Sequence, residues 1–549
     1  MAELTGNQIL AKSLKHEGVS TLFFLSGGPM DNFYLEVQKV GIRLIDARHE
    51  QAAAMMAHAW SRTTGEPGIC AACSGPGTTN LVTGIVTAFT DACPVIALGG
   101  SSNSRLTGWE DFQEIDQVSI MRPITKWSAQ CNSADRLPEF VSMAFRKCWG
   151  NRPGPVYIDL PGDVLHQKVD EANVHFPINS RTESRPLGNP AAIKEAIKLL
   201  SKAERPLVLT GTGIFWSKAW KELQEFVDLA GIPFYTTPQS RGVIPEDHDL
   251  CFLAARSLAF READVALVIG TRVNWIWQYM QAPRFAADMK TIQVNLDREE
   301  IGHNRAADVG IVGDAKMVLQ QLIAEAKEQG LANKKDSPWI DKLRAKDASN
   351  NERNEPILNS TQMPMHPLRM MKEIRDFLPR DAMLVVDGHE TLNFGRQSIP
   401  TYYPGHRINS GASGCMGVGL PFGIATALAN PDKKTLVIHG DGSFGINAIN
   451  IDTAVRHNIP VVCIVNVNGG WAAGRTGDEV LETGIELGFE QRYDKLGEAL
   501  GAHGEYVEKP EDIKPALERA FASGKPAIIN IVTERFAGSV TQNFQPYEH

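Results

Sequence analysis

The segment spanning residues 435–475 constrains the fold more than any other part of the chain. Its two apolar runs, bounded by glycine turns and separated by an amphipathic stretch, predict a strand, a helix and a second buried strand, which form a βαβ unit. Polar turns follow the two strands, with Gly-Asp-Gly-Ser at 440–443 and Asn-Gly-Gly at 468–470. Because the carboxyl ends of parallel strands share one edge of a sheet, we expect the two turns to meet there.

These turns offer only oxygen ligands. The carboxylate of Asp441 and the carboxamide of Asn468 suit a hard cation, Mg²⁺ or Ca²⁺, and a helix beginning after Gly442 would present free N–H groups to phosphate oxygens. The pattern therefore predicts a metal-bridged diphosphate. An Asp between two glycines is also common in a plain turn, and the first motif alone leaves that alternative open.

The distance between the two motifs, 27 positions from Asp441 to Asn468, resembles the metal-binding motif of thiamine diphosphate (ThDP) enzymes. The resemblance implies that the metal, Mg²⁺, is held by the side chains of Asp441 and Asn468 and by the backbone carbonyl of Gly470. Gly469 stands where many members have a second Asn that is not a metal ligand. The full set of cofactor-binding residues implied is Glu50, Thr391, Gly414, Met416, Gly440, Gly442, Ser443 and Asn468.

Length and composition indicate a multidomain globular protein. With 549 residues, 43% of them hydrophobic, the chain is long enough for about three domains. A net charge of −9 argues against general affinity for nucleic acids, so a polyanionic ligand would have to meet a local arginine cluster. No apolar run approaches the roughly 18 residues of a membrane span, and neither a signal peptide nor a peroxisomal tripeptide is present. We expect a cytoplasmic protein, of bacterial type, without a membrane partner.

Strand and helix patterns alternate through three regions, which predicts an α/β fold of three domains, each with a mostly parallel sheet flanked by helices. The resemblance names them as a pyrimidine-binding domain over 1–166, a middle domain over 190–328 and a diphosphate-binding domain over 362–549. The polar stretch 166–190 and the charged stretch 330–360 are interpreted as linkers.

Two short motifs have competing interpretations. The pair Cys70 and Cys73 has the spacing of a metal or redox site, but it lies in an apolar strand with no second pair, which favours ordinary core cysteines. The Gly211-Thr212-Gly213 turn resembles the start of a dinucleotide-binding motif. Its third glycine position is occupied by Trp216, which favours a tight turn over NAD binding.

Glu50 stands at a predicted strand-to-helix junction, where it is either a favourable charge in the first helical turn or a catalytic group. In ThDP enzymes the segment that HEQAAAMMA resembles carries the Glu that hydrogen-bonds the pyrimidine N1′. By the same resemblance, Gly414 would accept from the 4′-amino group and Met416 would support the bent cofactor, although sequence alone favours Met416 as a core residue. Glu50 and Asp441 would meet across a subunit boundary in a homodimer or homotetramer.

The segment ADVALVIGTRVNWIWQYMQAPRF resembles the middle domain of the oxalyl-CoA decarboxylase and 2-hydroxyacyl-CoA lyase branch. This branch implies an acyl-CoA substrate, for whose phosphates Arg272 and Arg407 are the candidates. ADP is a further candidate ligand of such a middle domain. Surface arginines are common, so the alternative for each of the two is a surface arginine that binds no ligand.

Few residues distinguish a lyase from a decarboxylase within this branch. Phe112 and Gln113 stand where decarboxylases have Tyr-Glu, and the C-terminal stretch 534–549 departs from a Gly-Thr-Glu-Ser-Gly pattern. The chain thus resembles bacterial 2-hydroxyacyl-CoA lyases, which use a ThDP ylid to cleave substrates such as 2-hydroxyisobutyryl-CoA into a carbonyl compound and formyl-CoA. An oxalyl-CoA decarboxylase, a carboligase of the acetolactate synthase type and a non-catalytic nucleotide-binding subunit are the alternatives. The presence of Glu50 together with Asp441 argues against the last.

Overall fold

Three parallel sheets, one in each third of the chain, carry the fold. The computed structural model describes residues 2–471, 475–476, 479–480 and 484–538. Helices cover the sheets, as alternating strand and helix patterns predict, so the expected fold class is confirmed. Residues 539–549 of the C-terminal stretch compared above lie outside the described residues.

The first domain is built on a six-stranded parallel sheet with the strand order β3-β2-β4-β5-β7-β6, and β1 pairs with β8 in a separate antiparallel ribbon. Its strands are β1 (Glu3–Thr5), β2 (Thr21–Phe24), β3 (Arg43–Asp46), β4 (Gly68–Ala72), β5 (Val95–Ser101), β6 (Ser128–Gln130), β7 (Val156–Pro161) and β8 (Lys168–Asp170). Its helices are α1 (Gly6–His16), α2 (Asp31–Lys39), α3 (Glu50–Thr64), α4 (Pro76–Asn80), α5 (Val82–Thr90), α6 (Gln117–Met121), α7 (Leu137–Trp149) and α8 (Gly162–His166).

The middle domain has a five-stranded parallel sheet with the order β10-β9-β11-β12-β13. Its strands are β9 (Pro206–Thr210), β10 (Phe234–Thr236), β11 (Val265–Ile269), β12 (Lys290–Asn295) and β13 (Val309–Val312). Its helices are α9 (Pro190–Lys202), α10 (Thr212–Trp216), α11 (Trp220–Ala230), α12 (Arg256–Glu262) and α13 (Ala315–Glu328), after which α14 (Pro338–Leu358) follows.

The last domain repeats the architecture of the first, with the order β15-β14-β16-β17-β21-β20. Its strands are β14 (Met383–Val386), β15 (Arg407–Ile408), β16 (Thr435–Gly440), β17 (Val462–Val467), β18 (Arg475–Thr476), β19 (Glu479–Val480), β20 (His503–Val507) and β21 (Ala527–Val532). Its helices are α15 (Pro367–Phe377), α16 (Glu390–Ser398), α17 (Gly419–Ala429), α18 (Asp441–Asn447), α19 (Ile451–Arg456), α20 (Tyr493–Ala499) and α21 (Ile513–Ala522).

The predicted βαβ unit is present in the last domain. Strands β16 and β17 pair in parallel with Leu436 opposite Val462, and helices α18 and α19 connect them. The two polar turns therefore lie at the same edge of the sheet, as the sequence predicted.

Helices α3 and α17 join the first and last domains of the chain through a shared core. Alanines fill one side of α3, and they pack in the same buried cluster as Leu420 and Phe422 of α17. The imidazole of His58 meets the Phe422 ring edge-on, with the ring centroids 5.0 Å apart. Small side chains on α3 allow this close approach of two helices, so the residues that follow Glu50 build a domain junction.

The interpretation of residues 330–360 as a linker is wrong. Most of this stretch is helix α14, and its first turns bury Trp339, Ile340 and Leu343 in the core of the middle domain. The Asp347 carboxylate further along α14 accepts hydrogen bonds from the backbone N–H groups of Ala254 and Ala255, which precede α12. The charged composition belongs to the middle of the helix, while its apolar residues lie at the two ends, where Ile357 and Leu358 pack against the core of the last domain.

Cys70 is buried in the core, whereas Cys73 is half-buried and lies near Glu50. All eight cysteines carry free thiols, and burial raises the pKa of both Cys70 and Cys73. Thiols with raised pKa values are poor nucleophiles and poor metal ligands at neutral pH, which agrees with the structural interpretation of the pair. No helix among the described residues is long and apolar enough to cross a membrane.

Candidate active site

Loops at the carboxyl ends of β14 and β16 form a small cradle in the last domain. Gly388 follows β14 with a φ of +96°, and a Cβ at this position would lie 3.4 Å from both the Gly440 nitrogen and the Ser443 hydroxyl. A Cβ at Gly440 would lie 3.4 Å from the Thr391 hydroxyl. The cradle therefore combines bare backbone with the hydroxyl groups of Thr391 on α16 and Ser443 on α18, an arrangement that suits phosphate oxygens.

The Asp441 carboxylate is the buried charge of this site. Its two oxygens accept hydrogen bonds from the backbone N–H groups of Gly442 at 2.7 Å, Gly469 at 2.8 Å and Gly470 at 3.0 Å. Burial nevertheless raises its pKa to about 6. A carboxylate that is costly to ionise in the protein alone is stabilised by a bound cation, so Asp441 fits the metal ligand that the sequence predicted.

Asn468 and Gly470 follow β17 beside Asp441, so the structure brings the predicted metal ligands together. Asn468 is half-buried, and its amide nitrogen lies 3.5 Å from the Arg535 carbonyl oxygen. A Cβ at Gly470 would lie 2.1 Å from the Ile485 carbonyl oxygen, so this position requires glycine. Carboxylate, amide and carbonyl oxygens are the ligand types that Mg²⁺ takes in proteins.

A single carboxylate distinguishes this centre from His- and Cys-rich metal sites. Among the residues that the structure describes, no group of three or more His, Cys, Asp or Glu side chains could hold a metal. Within the cradle, a Cβ at Gly442 would lie 2.8 Å from the ring of Trp471, so the aromatic ring lies directly against the backbone of the turn at 440–443. Glycine at 442 is thus required by packing.

Glu50 begins helix α3 in the first domain, at the edge of the sheet formed by the ends of β3 and β4. Its side chain is buried, and one carboxylate oxygen accepts a hydrogen bond of 3.0 Å from the amide of Asn80. The thiol of Cys73 lies nearby, and the negative charge of Glu50 contributes to raising the thiol pKa after burial. One oxygen of Glu50 is thus held by Asn80, which leaves the other available to a ligand.

The loop that carries Phe112 and Gln113 reaches the same edge of the first domain as Glu50. Gln113 has a φ of +60°, and its side-chain oxygen accepts a hydrogen bond of 2.8 Å from the Ser74 hydroxyl, just after β4. Phe112 is 81% exposed and Trp109 is 76% exposed, so the described part of the chain leaves two large apolar side chains of this loop uncovered. The structure brings Gln113 close to the Glu50 region and leaves Phe112 on the surface.

Gly414 and Met416 lie in the loop that precedes α17. Gly414 has a φ of +63°, and no described atom lies within 4 Å of the position that a Cβ would occupy. Met416 is half-buried. The open space at Gly414 leaves its backbone accessible to a ligand.

The two arginines predicted to contact coenzyme A have different environments. Arg272 is half-buried, donates to the backbone carbonyl of Thr90 and lines a large cavity between the first and middle domains. Arg407 is only 1% exposed and donates to the carbonyl of Ile399 at 2.9 Å. Burial also lowers the pKa of Arg407. A guanidinium closed off from solvent cannot meet an incoming phosphate, so the structure contradicts the expectation for Arg407.

A different arginine cluster stands between the middle and last domains. Arg256 and Arg284 both lie over the Phe260 ring, with centroid distances of 5.9 and 5.6 Å, and Arg396 projects from α16. Burial, and then the charges of Arg396 and Arg284, lower the pKa of Arg256 to about 9. Burial and neighbouring arginines likewise lower the pKa of Arg396 to about 10. No described carboxylate forms an ion pair with any of the three, so this arginine cluster favours an anionic ligand.

Sequence reasoning missed Gly388, Asn80 and this arginine cluster. Gly388 had a local signal, because Asp387-Gly388 follows an apolar strand just as Gly440-Asp441 does. The arginine cluster had none, since its members come from separate elements.

Residues 4–120 match the N-terminal TPP binding domain of thiamine pyrophosphate enzymes, residues 193–322 match their central domain and residues 391–531 match their C-terminal TPP binding domain. Thiamine pyrophosphate is another name for ThDP.

Three relatives align over nearly their whole length. A 2-hydroxyacyl-CoA lyase of Arabidopsis thaliana is 36% identical over 99% of this chain and 98% of its own. An acetolactate synthase large subunit of Mycobacterium tuberculosis is 34% identical, over 96% and 95%. An oxalyl-CoA decarboxylase of Escherichia coli is 32% identical, over 97% and 96%. The chain therefore belongs to the thiamine pyrophosphate enzyme family, in the branch of the 2-hydroxyacyl-CoA lyases and oxalyl-CoA decarboxylases.

Proposed function

We propose that the chain is a ThDP-dependent lyase that cleaves a 2-hydroxyacyl-CoA into an aldehyde or ketone and formyl-CoA. The observation that carries the proposal is the pairing of an oxygen-only metal site around Asp441 with a buried, amide-held Glu50 at a second sheet edge. Relatives named as 2-hydroxyacyl-CoA lyases align over almost the whole chain, which supports the same reaction.

The residues of the last domain suit Mg²⁺ and the diphosphate of ThDP. Asp441, Asn468 and Gly470 would hold the metal, and the cradle at Gly388, Gly440 and Ser443 would hold the phosphates. ThDP, when bound, supplies an electron sink for carbon–carbon bond cleavage. Glu50 would exchange a proton with the pyrimidine N1′, while Asn80 keeps its carboxylate oriented.

Phe112 and Gln113 support a lyase over a decarboxylase, because they stand where the resemblance assigns Tyr-Glu to decarboxylases. A decarboxylase must hold the carboxylate of its substrate, whereas a lyase must take the proton from the 2-hydroxyl group of its substrate. Removal of that hydroxyl proton needs a base and no carboxylate-binding cation.

Product analysis tests the proposal directly. The purified protein with ThDP and Mg²⁺ is incubated separately with 2-hydroxyisobutyryl-CoA, lactyl-CoA and oxalyl-CoA, and the products are identified by mass. We expect formyl-CoA with acetone from the first or with acetaldehyde from the second. Formyl-CoA from oxalyl-CoA alone would establish a decarboxylase instead. No turnover of any thioester, together with acetolactate formation from pyruvate, would establish a carboligase.

We propose further that the coenzyme A phosphates meet the arginine cluster of Arg256, Arg284 and Arg396. Arg396 lies five residues after Thr391 on α16, which corresponds to about 7.5 Å along the helix from the diphosphate cradle. Unneutralised guanidinium groups at this distance suit a polyphosphate ligand. Arg272, which lines the cavity between the first and middle domains, stays a candidate.

A substrate thioester that lacks the coenzyme A phosphates shows which of these arginines contacts the phosphates. Arg396→Ala should raise KM for 2-hydroxyacyl-CoA about tenfold, the effect of losing one charge-assisted contact, and leave KM for the pantetheine thioester unchanged. Arg519→Ala, which removes a solvent-exposed arginine of the same domain, is the matched control. The KM values of Arg272→Ala for the CoA thioester and for the pantetheine thioester, compared in the same way, test Arg272. Equal KM values for Arg396→Ala and the parent protein would show that Arg396 does not contact the coenzyme A phosphates.

We propose that the expected ADP binds in a cavity beside the sheet of the middle domain. A cavity of about 890 Å³ opens beside Gly213 and Gly270, where strand order reverses between β9 and β11, and Arg152 and Arg272 line its wall. Nucleotides bind open α/β sheets at such reversal points. Calorimetric titration with ADP tests this site, and an absence of heat at millimolar ADP would remove it.

The active sites are proposed to lie between subunits of a homodimer or homotetramer in the cytoplasm. Trp109 and Phe112 project uncovered from the first domain beside the edge that carries Glu50, so a second copy of the chain would find an apolar surface there. Association through this surface would bring the diphosphate cradle of one subunit to the Glu50 of another.

A further inference from the structure

The loop of residues 409–416, which carries Gly414 and Met416, is held from outside its own domain. The side-chain amide of Gln239, in the middle domain, donates a hydrogen bond of 2.7 Å to the Asn409 carbonyl and accepts one of 3.3 Å from the Asn409 nitrogen. Both residues are buried, with 5% and 2% exposure. The two opposed bonds hold the backbone at the start of the loop in one orientation.

The first domain holds the same amide from the opposite side. The Gln239 nitrogen also donates a hydrogen bond of 3.1 Å to the Asp91 carboxylate, which in turn lies 2.9 Å from the His58 ring and 3.7 Å from the Arg62 guanidinium. All of these side chains are buried. Because its donors and its acceptor are all engaged, Gln239 has a single favourable orientation.

Loop 409–416 packs tightly against Asp91 and Gln239. Gly411 has a φ of +58°, and a Cβ there would lie 2.6 Å from an Asp91 carboxylate oxygen and 2.8 Å from the Gln239 nitrogen. One residue later, the Trp275 indole of the middle domain donates a hydrogen bond of 3.0 Å to the Ala412 carbonyl. The backbone is thus held at 409 and 412 by the middle domain, two residues before Gly414.

We propose that Gln239 is a positioning residue that holds loop 409–416 in the conformation that receives the pyrimidine half of the cofactor. The proposal rests on the proposed function, because the roles of Gly414 and Met416 are assigned there. Within the part of the chain that the structure describes, Gln239 makes no hydrogen bond to the cradle at Gly388, Asp441 and Ser443. Its loss should therefore affect the pyrimidine half of the cofactor and spare the diphosphate half.

Two ligands that share a diphosphate provide the test. With excess Mg²⁺, Gln239→Ala should weaken ThDP binding about tenfold, the effect expected from losing one or two buried hydrogen bonds, and change inorganic pyrophosphate affinity less than about twofold. Ser240→Ala is the matched control, since the neighbouring Ser240 hydroxyl bonds to Thr210 within the middle domain. Thermal unfolding of each variant reports its folding. Equal weakening of both ligands, or no change in either, would overturn the proposal.

A second variant covers the case in which Gln239→Ala does not fold. In Gln239→Glu, the protonated side chain can still donate one hydrogen bond and accept one, whereas the ionised form places a second carboxylate beside Asp91. Its ThDP affinity, taken relative to the parent protein at the same pH, should be higher at pH 6 than at pH 8. A ratio independent of pH contradicts the positioning role.

The parent protein separates this inference from the proposed function. If the parent protein binds ThDP while all Gln239 variants bind it equally well, the positioning role fails and the proposed function stands. If the parent protein binds pyrophosphate and not ThDP, the proposed function fails, and the positioning role fails with it.

Discussion

At the scale of single residues, Asp441 shows how burial prepares a binding site. Three backbone N–H groups stabilise its charge, yet burial dominates and the pKa rises to about 6. A bound divalent cation would supply the stabilisation that this carboxylate lacks. Binding of the proposed metal would therefore be coupled to ionisation of Asp441.

We predict that Mg²⁺-dependent ThDP binding is lost in Asp441→Asn and weakens below about pH 6 in the parent protein. Above its raised pKa the carboxylate is ionised and binds the metal. Below that pH a proton competes, so affinity should fall roughly tenfold per pH unit. Calorimetric titration from pH 5 to pH 8 measures this. The surface variant Asp512→Asn should behave as the parent, and ThDP affinity insensitive to EDTA would contradict the prediction.

Glu50 is the residue for which the catalytic and the helix-charge interpretations differ most. We predict that Glu50→Gln binds ThDP within about threefold of the parent protein and loses at least about a hundredfold in kcat, because an amide cannot exchange the proton that general acid–base catalysis requires. The helix-charge interpretation instead predicts normal kcat with a stability loss of about 1 kcal/mol or less. Steady-state kinetics at saturating ThDP distinguish the two, with the exposed Glu139→Gln as control.

At the scale of elements, helix α14 performs two tasks. Its first turns complete the middle-domain core, and Asp347 further along caps the backbone that leads into α12. Since Arg256 is the first residue of α12, this contact also supports the arginine cluster. An element with a linker-like composition thus positions a proposed substrate-binding group.

We predict that Trp339→Ala lowers the unfolding free energy of the middle domain by about 3–5 kcal/mol, because a buried indole leaves a cavity. Trp339 is 4% exposed, and its indole donates a hydrogen bond to the Pro206 carbonyl. Arg344→Ala, on the exposed side of the same helix, should change the unfolding free energy by about 0.5 kcal/mol or less. Denaturant titration measures both, and a neutral Trp339→Ala would restore the linker interpretation.

At the scale of the whole molecule, contacts between domains decide which residues can cooperate. The first and last domains pack through α3 and α17, and the junction of Asp91, Gln239 and Asn409 adds the middle domain. The proposed pairing of Glu50 with Asp441 across subunits adds a further level, because it makes activity a property of the oligomer.

A mixture of two inactive variants tests this pairing. Glu50→Gln and Asp441→Asn subunits, co-expressed with different tags, should form mixed dimers that contain one doubly altered and one unaltered active site. Random pairing predicts about a quarter of the parent activity, whereas sites built within one chain predict none. Each variant expressed alone is the control.

The sequence alone determined what is encoded over short stretches. The α/β fold follows from alternating strand and helix patterns, and the proximity of Asp441 and Asn468 follows from two turns that parallel strands bring to one edge. Glu50 was identified as a candidate through the resemblance of residues 49–57 to a segment of ThDP enzymes, and this segment is contained in the start of one helix. In each case the information lies within about 30 residues of sequence.

Tertiary structure alone decided which distant residues meet. Arg407 resembles a surface arginine in sequence, and only the packing around β15 buries it. The arginine cluster and the contact of Gln239 with Asn409 join segments far apart in the chain, whose meeting depends on how whole domains dock. Spacing along the chain specifies local periodicity and turn geometry, whereas contacts between domains arise from the summed burial of many side chains, which no single motif records.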